Sequence, residues 1–284
     1  PAAFLLLFTM LVASVNNIVD GYFPELALIG YPPQDLLLRK QFINSAEIAL
    51  NEIAKQSTVP MILGSTLSEN DDLYNCSFVC ANGHLIDHYK KMLLPTYDVF
   101  DEDRYFKSGD EPVVVEVQIG SKNKKIGLQI CEDLWDYTYS RNLSDELKTS
   151  GAELIINISA SPYRVDRLVD RCNLIKEKVS STGIPFLYCN LVGAQDELIF
   201  DGQSVAYDGK GNLIAQCKAF VEEISMVDLE NQESLELNVL KREEKIYNAL
   251  VLGVKDYFRK TGHSEAVLGL SGGIDSSLTA CIAV

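Results

Sequence analysis

Histidine is scarce, with three residues in 284, at positions 84, 88 and 263. That leaves few ligands for a metal and removes the usual base of a cysteine–histidine pair. His84 and His88 fall on one strand of a hairpin and read as surface or structural residues. Positive charge is also short. Lys and Arg number 25 against 40 Asp and Glu, a net charge of -15, which argues against broad binding to nucleic acid or anionic membranes. The apolar run at the start, "FLLLFTMLVASV" (Phe4 to Val15), covers only 12 residues, whereas a membrane span needs about 20. Only Pro1, Ala2 and Ala3 precede it, without the positive region of a signal peptide. It reads as a clipped or aberrant start, with no membrane partner. The seven cysteines are odd in number and scattered, matching neither a disulfide framework nor paired CxxC zinc sites. This usage fits a reducing cytoplasm. Internal repeats and low-complexity segments are absent.

With 47% apolar and 23% charged residues, the chain has the composition of a globular enzyme and room for one large domain or two. Apolar periodicity after Pro32 and Pro33 predicts a long amphipathic helix over 34–56, burying Leu37, Phe42, Ala46, Ile48, Leu50 and Ile53. "YNCSFVCANGHLIDHYKK" predicts a hairpin turning at Asn82-Gly83, and "QSVAYDGKGNLIAQC" a second turning at 208–212. Strands are expected at "PVVVEVQIG", "KIGLQIC", "ELIINIS" and "PFLYCNLV", and helices near 139–149, 164–181 and 241–261. Hairpins interleaved with helices indicate an α/β sandwich with helices covering the sheet faces. The acidic stretch 222–240 is the best candidate for a domain boundary.

"KKIGLQICEDLWD" ends an apolar strand on Cys131 and follows it with two acids. A cysteine there is ordinarily an inert core residue, and adjacent negative charge holds a thiol protonated. Reactivity requires a base and a cation from elsewhere. Glu25, in "YFPELALIGY", is a lone carboxylate entering an apolar setting, the environment suited to a general base. An exposed loop glutamate is an equal reading of that segment alone. Lys90 and Lys91 end a hairpin strand and point to opposite faces, so at most one enters a site.

Taken together, these segments resemble the nitrilase superfamily, whose members use Glu, Lys and Cys in that chain order. "FPELALIGYPPQDLL" is similar to the base segment, "KKMLLPTYDVFDEDRYF" to the lysine segment and "GLQICEDLWD" to the nucleophile segment. The second match is narrower and resembles the glutaminase domain of glutamine-dependent NAD+ synthetases, as do "NISASPYRVDR" and "NLVGAQDELIFDGQSVAYDGKGN". The resemblance implies an α-β-β-α sandwich. It assigns Cys131 as nucleophile on the glutamine amide, Glu25 as base and then acid, and Lys91 as the oxyanion's cation. Glu132 would face the glutamine amino group and Arg167 its α-carboxylate, with Tyr97, Trp135 and Ser161 shaping the pocket. Core packing is an equal reading of Tyr97 and Trp135. Glu102 would orient Lys91.

Near the end, "VLGLSGGIDSSLTA" reads as strand, glycine loop and helix start. It lacks the Gly-Lys-Ser/Thr of a Walker loop and resembles the pyrophosphate loop of ATP pyrophosphatases. The resemblance implies that Ser271, Gly272, Gly273, Ile274, Asp275 and Ser276 hold ATP, with Mg2+ at Asp275. The glutaminase side needs no cofactor. The implied division is 1–230 glutaminase, 231–262 linker and connecting helix, and 263–284 the start of a Rossmann-like ligase domain. The implied whole is a cytoplasmic homo-oligomeric ligase that amidates deamido-NAD+ with ammonia from glutamine, of which this chain is a fragment. A stand-alone amidase or an inactive fragment are the alternatives.

Overall fold

Amphipathic helices and alternating strands sort into layers because each must bury one apolar face. The computed structural model describes residues 10–15, 18–119, 122–229 and 233–284. Along the chain come β1 (Met10–Val15), β2 (Ile18–Tyr22), α1 (Lys40–Gln56), β3 (Met61–Glu69), β4 (Asp72–Ala81) and β5 (His84–Lys90). Next are β6 (Val114–Ile119), β7 (Lys122–Ile130), α2 (Leu143–Thr149), β8 (Leu154–Ser159), α3 (Arg167–Thr182) and β9 (Phe186–Asn190). The short strands β10 (Val192–Gln195), β11 (Leu198–Asp201), β12 (Val205–Tyr207), β13 (Leu213–Gln216) and β14 (Ile224–Asp228) lead to α4 (Arg242–Thr261) and α5 (Ile274–Ala283).

Among the described residues two six-stranded sheets form, in the orders β14-β1-β2-β3-β4-β5 and β13-β12-β9-β8-β7-β6, beside a two-stranded β10-β11 ribbon. Tyr22, Ile62 and Val79 from the first sheet and Leu128, Ile130, Ile156 and Leu187 from the second share one buried core. On the outer face of the first sheet, α1 sets Leu50 against Leu63, Tyr74 and Phe78. On that of the second, α3 sets Cys172, Ile175 and Val179 against Phe186, Tyr188 and Tyr207. The result is the expected α-β-β-α sandwich. Among the described residues no helix is long and apolar enough to cross a membrane.

The hairpin turn at Asn82-Gly83 is present, with φ of 51° and 80° at its two residues, and β12-β13 turns where expected. Two expectations need correction. The helix over 34–56 is two pieces, a 3-10 turn at Gln34–Leu38 and then α1, divided by Arg39 in extended conformation. The break lets Leu37 enter a core with Tyr31 and Phe106, while α1 turns Ile43, Ala46, Leu50 and Ala54 inward. Ile48, expected in that face, is 60% exposed. The apolar run at 266–271 forms no strand. A buried parallel strand takes its hydrogen bonds from neighbours, and among the described residues none pairs with it; Val267 is fully exposed. The acidic stretch 222–240 contains β14, which pairs with β1 in parallel. Of the initial apolar run, Met10–Val15 is β1 and the residues before Met10 lie outside those described.

Candidate active site

Four chain segments leave the two sheets at a common end. β2 runs on toward Glu25, β5 into Lys91, β7 into Cys131 and β8 into Ala160 and Ser161. The Glu25 turn lies on β3 at Gly64, where a Cβ would come within 2.4 Å of the Leu26 nitrogen. Glycine there lets the turn drop into the sandwich, and Glu25 is fully buried. Its Oε1 accepts from Asn75 Nδ2 at 2.8 Å and Lys91 Nζ at 2.6 Å, and its Oε2 from the Ala160 N–H at 3.0 Å.

Lys91 is buried as well, and its ammonium also donates to both oxygens of Glu102 at 2.8 Å. Burial pulls its pKa down, but Glu102 and Glu25 overcome this and hold it well above the usual lysine value. Lys91 is therefore a fixed cation between two carboxylates. Glu102 is pushed up to about 7, mainly by burial and against the pull of Lys91. Tyr31 donates its hydroxyl to Glu102 Oε1 at 2.7 Å.

Cys131 follows β7 at φ 43°, a left-handed conformation that costs a β-substituted residue about 1–3 kcal/mol. The following 3-10 turn, Cys131–Leu134, is held by Asp133. Asp133 accepts from the Ile130 N–H at 2.8 Å, the Leu93 N–H at 3.0 Å and the Tyr89 hydroxyl at 2.8 Å. One of the two acids after the cysteine is thus turned into the core, tying the nucleophile turn to the Lys91 segment. The other, Glu132, accepts from Tyr97 at 2.9 Å and from Tyr139 at 3.1 Å. Burial raises the Cys131 thiol pKa well above its ordinary value, Glu25 adds to this and Lys91 opposes it. The thiol is protonated at neutral pH and needs a base in the act of attack. Alkylation of Cys131 by iodoacetamide should therefore keep rising as pH passes 9, followed by peptide mass spectrometry. A plateau already reached at pH 7 would mean a preformed thiolate.

Outside this cluster opens a cleft of about 730 Å³, whose walls include Tyr97, Glu132, Trp135, Arg164 and Arg167. The Arg167 guanidinium lies 4.8 Å from the Trp135 ring centroid, and its Nε is buried without a partner. A carboxylate-bearing ligand would supply one. Of the residues singled out in sequence, Glu25, Lys91 and Glu102 are joined by ion pairs, while Tyr97, Glu132, Trp135 and Arg167 line one cleft. Ser161 is not part of that lining; it is buried, with its N–H on Asn190 Oδ1 at 2.9 Å. The loop 271–276 is not brought to this site; it is exposed, and its hydrogen bonds stay within the loop and the start of α5. Sequence reading missed Asn75, Tyr31, Asp133 and Tyr139. An asparagine inside the apolar strand "YNCSFVCA" was the available signal for the first.

The family model described as carbon-nitrogen hydrolase matches residues 22–236. The chain belongs to the carbon-nitrogen hydrolase family. A second model, NAD synthase, matches residues 246–284. Among curated relatives, this chain is 39% identical to the glutamine-dependent NAD(+) synthetase of Aquifex aeolicus, over 95% of this chain and 54% of the relative. It is 38% identical to that of Thermotoga maritima, over 92% and 51%. The chain thus spans about half the length of the curated relatives it matches. Among solved structures it superimposes on a glutamine-dependent NAD+ synthetase from Acinetobacter baumannii in complex with ADP, with a TM-score of 0.82 and 32% identity, over 92% of this chain and 49% of that one. A nitrilase-superfamily amidase from Nesterenkonia, at TM-score 0.59 and 21% identity over 69% of this chain and 72% of its own, shares the fold.

Proposed function

We propose that this chain provides the glutamine-hydrolysing part of a glutamine-dependent NAD+ synthetase. The observation that carries the reading is a buried lysine bonded to Glu25 and Glu102 and within electrostatic reach of Cys131, whose chain neighbour Glu132 lines a cleft together with Arg167. In the proposed reaction Glu25 takes the thiol proton as the Cys131 Sγ attacks the side-chain amide carbon of glutamine. Lys91 meets the oxyanion that forms, loosening its two-oxygen hold on Glu102. Glu25 returns its proton to the departing ammonia, leaving a thioester on Cys131. Water, activated by Glu25, then hydrolyses the thioester and releases glutamate.

Glu132, braced by Tyr97 and Tyr139, would receive the α-amino group, and Arg167, over the Trp135 ring, the α-carboxylate. Ser161 would shape the pocket through its backbone. Incubation with glutamine and assay of ammonia tests the whole reading. Release from simple amides but not from glutamine would instead indicate a general amidase. Arg167→Met should raise KM for glutamine by about 10- to 100-fold, the worth of a charge-assisted pair, with kcat nearly kept. An amide lacking the α-carboxylate should be hydrolysed equally by both proteins, and a matching loss on that amide would remove Arg167 from this role.

We further assign 1–230 to the glutaminase, 231–262 to a linker and connecting helix, and 263–284 to the beginning of a ligase domain. The matches over 22–236 and 246–284 support that division. In the loop 271–276, Gly272 has φ 82° and open space where a Cβ would stand. Amides before α5 are thus accessible to a polyphosphate, and Ser271, Gly272, Gly273, Ile274, Asp275 and Ser276 fit one. ATP bound there would activate the carboxylate of deamido-NAD+ for amidation. Among the described residues no group of three or more His, Cys, Asp or Glu could hold a metal. Mg2+ would be held by Asp275 together with phosphate oxygens. All seven cysteines are unpaired, which supports a cytoplasmic setting, and we expect the whole enzyme to be a homo-oligomer.

A further inference from the structure

Helix α4 is fastened to the glutaminase wall at both ends. Near its C-terminus the buried Asp256 accepts the Ala194 N–H at 2.8 Å, and Lys260 donates to the Ala194 carbonyl at 2.5 Å. Near its N-terminus Lys245, 7% exposed, donates its ammonium to the Val165 carbonyl at 2.5 Å. A lysine held by a carbonyl and not by a carboxylate is a costly way to fill space, since an apolar residue would avoid desolvating the charge. What it does is fix one point of the backbone.

That point matters because of what flanks it. Val165 lies between Arg164 and Arg167, both in the cleft wall. The turn between them is closed by the Arg167 N–H on the Arg164 carbonyl at 3.0 Å. The same loop is braced a second time through the β10-β11 ribbon, with the Tyr163 N–H on the Ile199 carbonyl at 2.7 Å. The ribbon is in turn held by Asp256 and Lys260 of α4. Both lines of contact run from one helix to one turn, and that turn starts the helix that carries Arg167 over Trp135.

We infer that Lys245 is a positioning residue: through the Val165 carbonyl, α4 sets the placement of Arg167 and so the strength with which the cleft holds a substrate carboxylate. This rests on the reading of Arg167 as the α-carboxylate partner. The NAD synthase match begins at residue 246, inside α4, so movement of the segment that follows the helix would reach the glutamine pocket by this path.

The test uses the full 284-residue chain with Lys245→Met, which keeps the stem and removes the donor, and Lys245→Arg, which restores one. Trp135 is the one tryptophan of the sequence, so its fluorescence reads the Arg167 stack without any substrate. Lys245→Met is expected to increase acrylamide quenching of Trp135 and to raise KM for glutamine about fivefold with kcat little changed. Lys245→Arg is expected to restore both. A Met variant with a lower Tm but wild-type quenching and KM would reduce Lys245 to packing and overturn the inference. If Lys245→Met does not fold, Lys245→Gln is scored against the same two outcomes. A parent chain that releases no ammonia from glutamine refutes the proposed function, and the quenching comparison then decides the role of Lys245 alone.

Discussion

Replacing Lys91 by methionine is expected to abolish turnover and to cost about 3–5 kcal/mol of stability, the penalty for stranding buried charge. Few lysines would do so, because an exposed one leaves its partners to water. Lys91 is fully buried between Glu25 and Glu102, at 2.6 and 2.8 Å. Without it, two carboxylates share a desolvated site, and at least one must take up a proton to remain there. The pH dependence follows from that proton. In the variant the folded state keeps it at a pH where the unfolded chain, with ordinary carboxylates, has lost it. Stability therefore falls as pH rises from about 4.5 until the retained proton is finally released. Urea denaturation at pH 5 and pH 8 should show the larger deficit at pH 8. Adding Glu102→Gln should recover much of the stability and none of the activity, since it removes the like charge without restoring the cation. A single variant within about 1 kcal/mol of wild type at both pH values would mean that Lys91 does not bear the charge balance of the site.

Glu25, Lys91 and Cys131 were singled out by the resemblance of their three segments taken together, since alone each read as well as a loop, surface or core residue; the structure joins the first two in a buried ion pair. Partners supplied across the sandwich were not legible. Asn75 reaches Glu25 over 50 positions and Asp133 reaches Leu93 over 40, separations that no local period encodes. Local pattern does not distinguish the two acids after Cys131, and only the resemblance singled out Glu132. Their different fates depend on the left-handed turn at Cys131, which sends Asp133 inward to the backbone and leaves Glu132 facing Tyr97 and Tyr139. Layer order was readable from periodicity, since α3 and α4 begin and end within a few residues of expectation. The break at Arg39 was not, because Leu37 is drawn out of the helical stripe by a core contact with residues far along the chain. Nothing in the sequence sets Lys245 and Asp256 apart from the other charges of α4; their burial comes from the contacts of that helix with Val165 and with β10.

The second large effect concerns Cys131, where a core cysteine and a nucleophile predict opposite outcomes. As a mere core residue, Cys131→Ala would lose a little apolar burial and leave any amide hydrolysis intact. As the nucleophile, it should lose about 10⁴-fold or more in ammonia release, with the fold retained. Stability supplies an independent check through the backbone. Alanine keeps the Cβ and with it the strain at φ 43°, whereas glycine visits that region freely. Cys131→Gly should therefore be at least as stable as Cys131→Ala in urea, reversing the usual penalty of about 1 kcal/mol for glycine. Together the pair separates two properties of one residue: Ala removes the sulfur and keeps the strain, and Gly removes both. Equal activity loss with glycine the more stable is the signature of a side chain held in a costly conformation for its chemistry. Retained hydrolysis in the Ala variant would return Cys131 to the core and move the search for a nucleophile to other residues.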